Sequence, residues 1–225
     1  MMRQKKNKKI FVYFFLIIIL SSINNIELGK IKFNKIDTIN VSGLNFVENE
    51  ILKNNIKKLN LENIFSLNLK KISKLFNENT LIENYVIFKK YPSTLDILVE
   101  KTKFLAQINI DGQLFMIGSN GKLTQKKTSK KNLPYIFGKM DIGEFLLFKK
   151  MIDQSKIKFN EIKSFYFFPS MRWDLELKNN ILIKLPKDNI RYSLDAAYEF
   201  VNNNKNFEDL KIIDARIMNQ IILND

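Results

Sequence analysis

Ser119-Asn120-Gly121-Lys122 has the spacing of the Ser-x-x-Lys enzymes, in which a lysine takes the proton of an attacking serine. That chemistry needs both residues on one helical face, three positions apart. Asn120-Gly121 instead favours a tight turn. The companion Ser-Asp-Asn and Lys-Thr-Gly segments are missing, and Lys101-Thr102-Lys103 only approaches the second of them. Asp174 and Glu176 offer a carboxylate pair of the kind glycosidases use. At i and i+2 of one strand they read more simply as its wet face, opposite Trp173, Leu175 and Leu177. With no histidine and no cysteine, histidine- or cysteine-ligated zinc, cysteine nucleophiles, Ser-His-Asp triads and disulfides are all excluded. The chain is read as non-enzymatic, with no cofactor and no metal.

The net charge of +14 raises nucleic acid as a partner, but the distribution of that charge argues against it. Arg3, Lys5, Lys6, Lys8 and Lys9 precede an almost wholly apolar run from Ile10 to Ile23. This pattern predicts a cytoplasmic tail over residues 1–9 and a membrane-spanning helix over residues 10–26, roughly 25 Å long. Residues 21–26 offer no Ala-x-Ala-like cleavage site, so an uncleaved anchor is expected, followed by a linker over residues 27–34. The rest then lies outside the cytoplasm, away from chromosomal DNA. Only Arg3, Arg172, Arg191 and Arg216 are arginines, whereas phosphate and base-edge recognition favours the arginine fork. An excess of Lys, Asn and Ile is what an A+T-rich genome produces.

The elements that must position these residues fall into two groups. Ile36 and residues 38–41 form a β-like run ending at Ser42-Gly43. Asn45 with Glu48 makes a capping box for a helix with Ile51, Leu52, Ile56 and Leu59 on its apolar face. Asn68 caps a second helix with Leu69, Ile72, Leu75 and Phe76 on one stripe. Residues 84–90 and 94–100 then alternate as two strands around Tyr91-Pro92-Ser93. The order β-α-α-β-β predicts a compact α+β unit over residues 35–102, with two helices on one face of three strands.

Residues 103–225 are richer in strand. Strands are expected at 104–108, 113–117, 122–124, 165–168, 172–177, 181–185, 211–218 and 220–223, with turns at Asp111-Gly112, Asn120-Gly121 and Asn179-Asn180. Leu133-Pro134 leads to Gly138. One helix, opened by Asp141 with Glu144, runs to about Gln154, and a second has Leu194, Ala197, Tyr198 and Val201 on one stripe.

This order, together with Ile39 to Gly43, Val86, Lys90-Tyr91-Pro92, Thr94-Leu95, Glu100, Ala106, Gly118 to Leu123, Leu133-Pro134, Gly138, Trp173, Leu175, Leu177 and Ile213-Asp214-Ala215-Arg216, resembles the FtsQ/DivIB family of bacterial cell division proteins. The resemblance covers about residues 10 to 223. It departs from the usual pattern at Tyr91, a common tryptophan, and at Ile217, often an aromatic.

The resemblance implies a POTRA domain at 35–102 and an FtsQ-like β domain at 103–225, anchored as a single-pass protein in the inner membrane with both domains periplasmic, at the division septum. It implies a non-catalytic divisome scaffold that binds FtsB and FtsL, helps control septal peptidoglycan synthesis, and meets other division proteins through the POTRA domain. The expected contact is addition of a partner strand to an edge strand over residues 218–223. Candidate partner-binding residues are therefore Arg172, Arg216, Ile217, Met218, Asn219, Gln220, Ile221, Ile222 and Leu223, with the two arginines placed to pair acidic groups. A competing reading assigns the POTRA-like unit to polypeptide transport or outer-membrane assembly, but the repeated hairpins of a membrane barrel are not visible.

Overall fold

The computed structural model describes residues 5–23, 35–125, 133–203 and 211–224. Helix α1 spans Lys5–Ile23. Beyond its four lysines, the stretch from Ile10 to Ile23 is about 21 Å long, short of a hydrocarbon core of about 30 Å. No helix among the described residues is long and apolar enough to cross a membrane. The span expected over residues 10–26 is therefore not confirmed by α1, and residues 24–26 lie outside the described residues.

The first unit follows the expected order. Strand β1 is Thr38–Ser42, helices α2 and α3 are Phe46–Lys57 and Leu69–Glu78, and β2 and β3 are Ile82–Lys90 and Thr94–Lys101. The capping box forms as read: the Asn45 side chain accepts from Glu48 N at 2.8 Å, and the Glu48 carboxylate accepts from Asn45 N at 3.4 Å. Asn68 caps α3 by accepting from Lys70 N at 3.0 Å. The sheet order is β1-β3-β2, with β1 parallel to the central strand and β2 antiparallel to it. Leu95, Ile97 and Val99 of β3 point inward to Leu52, Ile56, Ile72 and Phe76 of the helices. Ile51 and Leu69 are exposed instead of sharing that core. Gly43 has φ of +109°, and a Cβ there would meet the Val99 carbonyl oxygen at 1.7 Å, so only glycine lets the chain leave β1 this close to β3.

The second unit is a nine-stranded sheet in the order β12-β11-β10-β9-β8-β7-β4-β5-β6. Its strands are β4 Phe104–Ile110, β5 Gln113–Gly118, β6 Leu123–Gln125, β7 Tyr135–Phe137, β8 Ile162–Phe167, β9 Trp173–Leu177, β10 Leu182–Lys184, β11 Ile212–Asp214 and β12 Ile222–Asn224. Helices α4, Ile142–Asp153, and α5, Ile190–Asn203, link the parallel neighbours β7 and β8, and β10 and β11. Because β7 and β10 run the same way and both crossovers step in the same direction, right-handed connection puts both helices on one face. There Phe145, Phe148, Ile152, Ile190, Leu194 and Ala197 pack on Phe165, Leu175, Ile183 and Ile213.

Strand β7 was not expected. Three residues between Pro134 and Gly138 are too few to show an alternation, yet they fill the parallel slot between β4 and β8. Asp141 caps α4 as read, accepting from Gly143 N at 2.7 Å.

Phe148 is fully buried and stacks on Trp173 with centroids 4.7 Å apart and planes 6° from parallel. Phe148→Ala should cost about 3–5 kcal/mol. Urea unfolding followed by the fluorescence of Trp173, the single tryptophan of the chain, measures it directly.

Candidate functional site

Among the described residues nothing pairs with the outer side of β12, the last strand of the large sheet. It lies antiparallel to β11, with Ile222 opposite Asp214, Leu223 opposite Ile213 and Asn224 opposite Ile212. Period two sends Leu223 into the core and leaves Ile222 outside, 41% exposed.

The chain leading into β12 corrects the expectation of strands over 211–218 and 220–223. β11 stops at Asp214, and residues 217–220 turn, with Asn219 at φ of +61° and Gln220 N donating to Ile217 O at 3.2 Å. Asparagine tolerates that left-handed conformation better than most residues. The turn leaves Ile217 54% and Met218 63% exposed, beside Tyr192 of α5, whose hydroxyl donates to Asn219 Oδ1 at 2.7 Å. A cavity of about 150 Å³ lies between them, lined by Tyr192, Ala196, Ala215, Ile217, Gln220 and Ile221. The sequence reading did not name Tyr192. Its one signal was an aromatic standing off the apolar stripe of α5.

The sheet face away from the helices carries a cross-strand row in register: Phe137, Tyr166, Asp174, Lys184, Asp214 and Ile222. Phe137 stacks on Tyr166 at 5.0 Å. Arg216 grips Asp214, with Nε 2.8 and 2.9 Å from its two oxygens and Nη2 2.5 Å from Oδ2. Those hydrogen bonds hold the Asp214 carboxyl below the usual carboxylate range, Arg216's charge and Lys184 adding to the effect while burial opposes it. Arg172 donates from Nε to Asp174 Oδ1 at 3.3 Å and lies 4.5 Å over the Phe168 ring. Both arginines therefore already serve carboxylates of their own chain. A partner's acid would have to share them.

Asp174 stands on the expected face, opposite Trp173 and Leu175, but is buried there rather than wet. It is 3% exposed, and burial pushes its carboxyl up, against the Arg172 charge and the Leu185 N–H that donates to it at 3.3 Å. Glu176 is held low, first by Lys163 Nζ at 2.7 Å and also by the Tyr166 hydroxyl at 2.9 Å. The two carboxylates serve different partners. So do Ser119 and Lys122: the Gly121 N to Gly118 O bond of 3.0 Å closes a turn, Ser119 Oγ donates to Glu83 and Lys122 Nζ to the Asn79 carbonyl.

Comparison with known proteins places this geometry in context. A model of the POTRA domain, FtsQ-type, matches residues 34–101, and a model of cell division protein FtsQ/DivIB, C-terminal, matches residues 105–216. Cell division protein DivIB of Clostridium botulinum (strain Loch Maree / Type A3) is 33% identical over 135 residues, 60% of this chain and 51% of that protein. Cell division protein FtsQ of Rickettsia bellii is 25% identical over 190 residues, 83% of this chain and 70% of that protein. The chain thus spans between about half and seven tenths of the length of these relatives. The major extracytoplasmic domain of DivIB from Geobacillus stearothermophilus aligns with a TM-score of 0.34 at 12% identity, covering 47% of this chain and 96% of that one.

A raised carboxyl pKa means that the folded protein binds more protons than the unfolded chain between the two values, so Asp174 costs stability as pH rises through that window. Asp174→Asn keeps an acceptor for Leu185 N–H. The variant should match the parent below pH ~3.9 and exceed its stability at neutral pH, as urea unfolding at both ends will show. A parent more stable at neutral pH would mean that pairing with Arg172 outweighs burial.

Proposed function

The chain belongs to the FtsQ/DivIB family of cell division proteins, and from that premise we propose that it is a non-catalytic scaffold whose large sheet recruits FtsB and FtsL by adding a partner strand to β12. The reading assigns residues 1–9 to a cytoplasmic tail, 10–26 to an inner-membrane anchor, 27–34 to a linker, 35–102 to the POTRA domain and 103–225 to the partner-binding domain. Both domains are then periplasmic, at the septum. Other division proteins meet the POTRA domain, and the FtsB and FtsL contact serves control of septal peptidoglycan synthesis.

The observation that carries the proposal is the open edge of β12 beside an exposed apolar cluster. Unpaired backbone donors and acceptors on an edge strand give a partner strand its hydrogen bonds, and neighbouring side chains give it selectivity. Ile217, Met218 and Ile222 supply the apolar contact, joined by Tyr192. Arg216, with 44% of its side chain exposed, supplies a charged donor to a partner carboxylate; Arg172, at 24%, is more enclosed. The anchor rests on the lysine cluster followed by the apolar run of α1, whose basic end can snorkel toward headgroups.

Successive residues of a strand aim their N–H groups to opposite sides, so either Ile222→Pro or Leu223→Pro removes an outward donor. One of the two should weaken binding of the periplasmic FtsB–FtsL pair at least about tenfold while the tryptophan signal of the core is kept. Affinity unchanged in both would end the edge model. In the host, a fluorescent copy should collect at the septum and depletion should block division; diffuse signal with normal septation would contradict the scaffold reading itself.

A further inference from the structure

The Ser-x-x-Lys segment is not idle. Residues 119–122 join β5 to β6, and their side chains reach across to the first unit. Asn120 Nδ2 donates to the Thr80 and Ile82 carbonyls at 3.1 and 2.8 Å, while Oδ1 accepts from Lys122 N at 3.0 Å. Both amide hydrogens and an oxygen lone pair are used. Lys122 Nζ donates to the carbonyl of Asn79, the C-cap of α3, at 3.0 Å. A cation is favoured there, where a helix ends in unpaired carbonyls and the negative end of its dipole. Glu83 of β2 accepts from Ser119 Oγ at 2.7 Å and from Thr102 Oγ1 at 2.9 Å. Thr102 is only 4% exposed, so its hydroxyl depends on these protein partners. A Cβ on Gly118 would fall 2.8 Å from Thr102 Oγ1 and 2.5 Å from Asn120 Oδ1, so a side chain there would push the joint's own polar groups aside.

We infer that Ser119, Asn120 and Lys122, with Glu83 and Thr102, form a joint that locks the small sheet to the large one as a single rigid arm. Only Thr102 and Lys103 connect β3 to β4, and two residues of backbone alone would let the units turn about their φ and ψ angles. The clamp removes that freedom. Where the scaffold reading holds, the joint fixes the direction in which β12 is presented relative to the small sheet. Ser119 and Lys122 are positioning residues, Ser119 acting on β2 through Glu83 and Lys122 on the end of α3.

The full chain contains no cysteine, so two spin labels can be placed cleanly, at Asn54→Cys on α2 and Lys178→Cys beyond β9. In detergent or nanodiscs, pulsed electron resonance should give one narrow distance distribution. Asn120→Ala with Lys122→Ala should widen it at least twofold while circular dichroism is unchanged. Where that pair fails to fold, Asn120→Asp, which keeps the volume but sets a carboxylate against two carbonyls, should widen it likewise. An unchanged width in a folded variant overturns the joint. The distance measurement involves no partner, so that failure would leave the scaffold reading standing, and a diffuse septal signal from a rigid protein would overturn the scaffold reading alone.

Discussion

The handedness of two crossovers governs the large unit. β7 to β8 and β10 to β11 are parallel neighbours joined by one helix each, and a right-twisted strand feeding a right-handed helix packs back on one side only. Since both steps go the same way between strands of the same direction, α4 and α5 cover the same face. Their aromatic and aliphatic side chains then share one core with Phe165, Trp173, Leu175 and Ile183. Among the described residues no helix of this unit covers the opposite face, and the sheet ends at a short strand.

What sits on the open face follows from register. Strand pairing sets Asp174, Lys184 and Asp214 side by side, with acids flanking the one lysine; Arg172 reaches two residues forward to Asp174 and Arg216 two residues back to Asp214. Opposite charges directly across a sheet support it modestly, and exposed pairs contribute only about 0–1 kcal/mol. In the binding mode proposed above, a network already satisfied within the chain leaves geometry to set selectivity before charge does. Tyr192 with Ile217 lines one cavity and Tyr192 with Arg216 and Met218 another at the margin of that network, while Ile222 stands in the row itself, opposite Asp214.

Local signals carried much of the first unit. Asn45 and Glu48 state a helix start within four residues, Asn68 another, and alternation over residues 94–100 states a strand facing one way. Each depends on neighbours in sequence. The last part of the chain was harder, because β7, β10, β11 and β12 are three residues each, too short for a period to repeat. Residues 211–218 and 220–223 looked like strands because isoleucine and leucine recur there. The left-handed Asn219 interrupts them, and a single asparagine does not declare its φ in advance.

The sequence by itself determined what the chain lacks and how its local elements begin: no histidine or cysteine for metal or nucleophile chemistry, capped helices, alternating strands, and a basic stretch before an apolar one. Those properties depend on residue type and on neighbours a few positions away. Only the tertiary structure decided that Asp174 is buried, that both arginines are engaged, and that Ser119 and Lys122 reach across to the first unit. Each of these turns on partners brought close by strand pairing and crossover packing, and a spacing such as Ser-x-x-Lys says nothing of which groups, some forty residues away, will meet it.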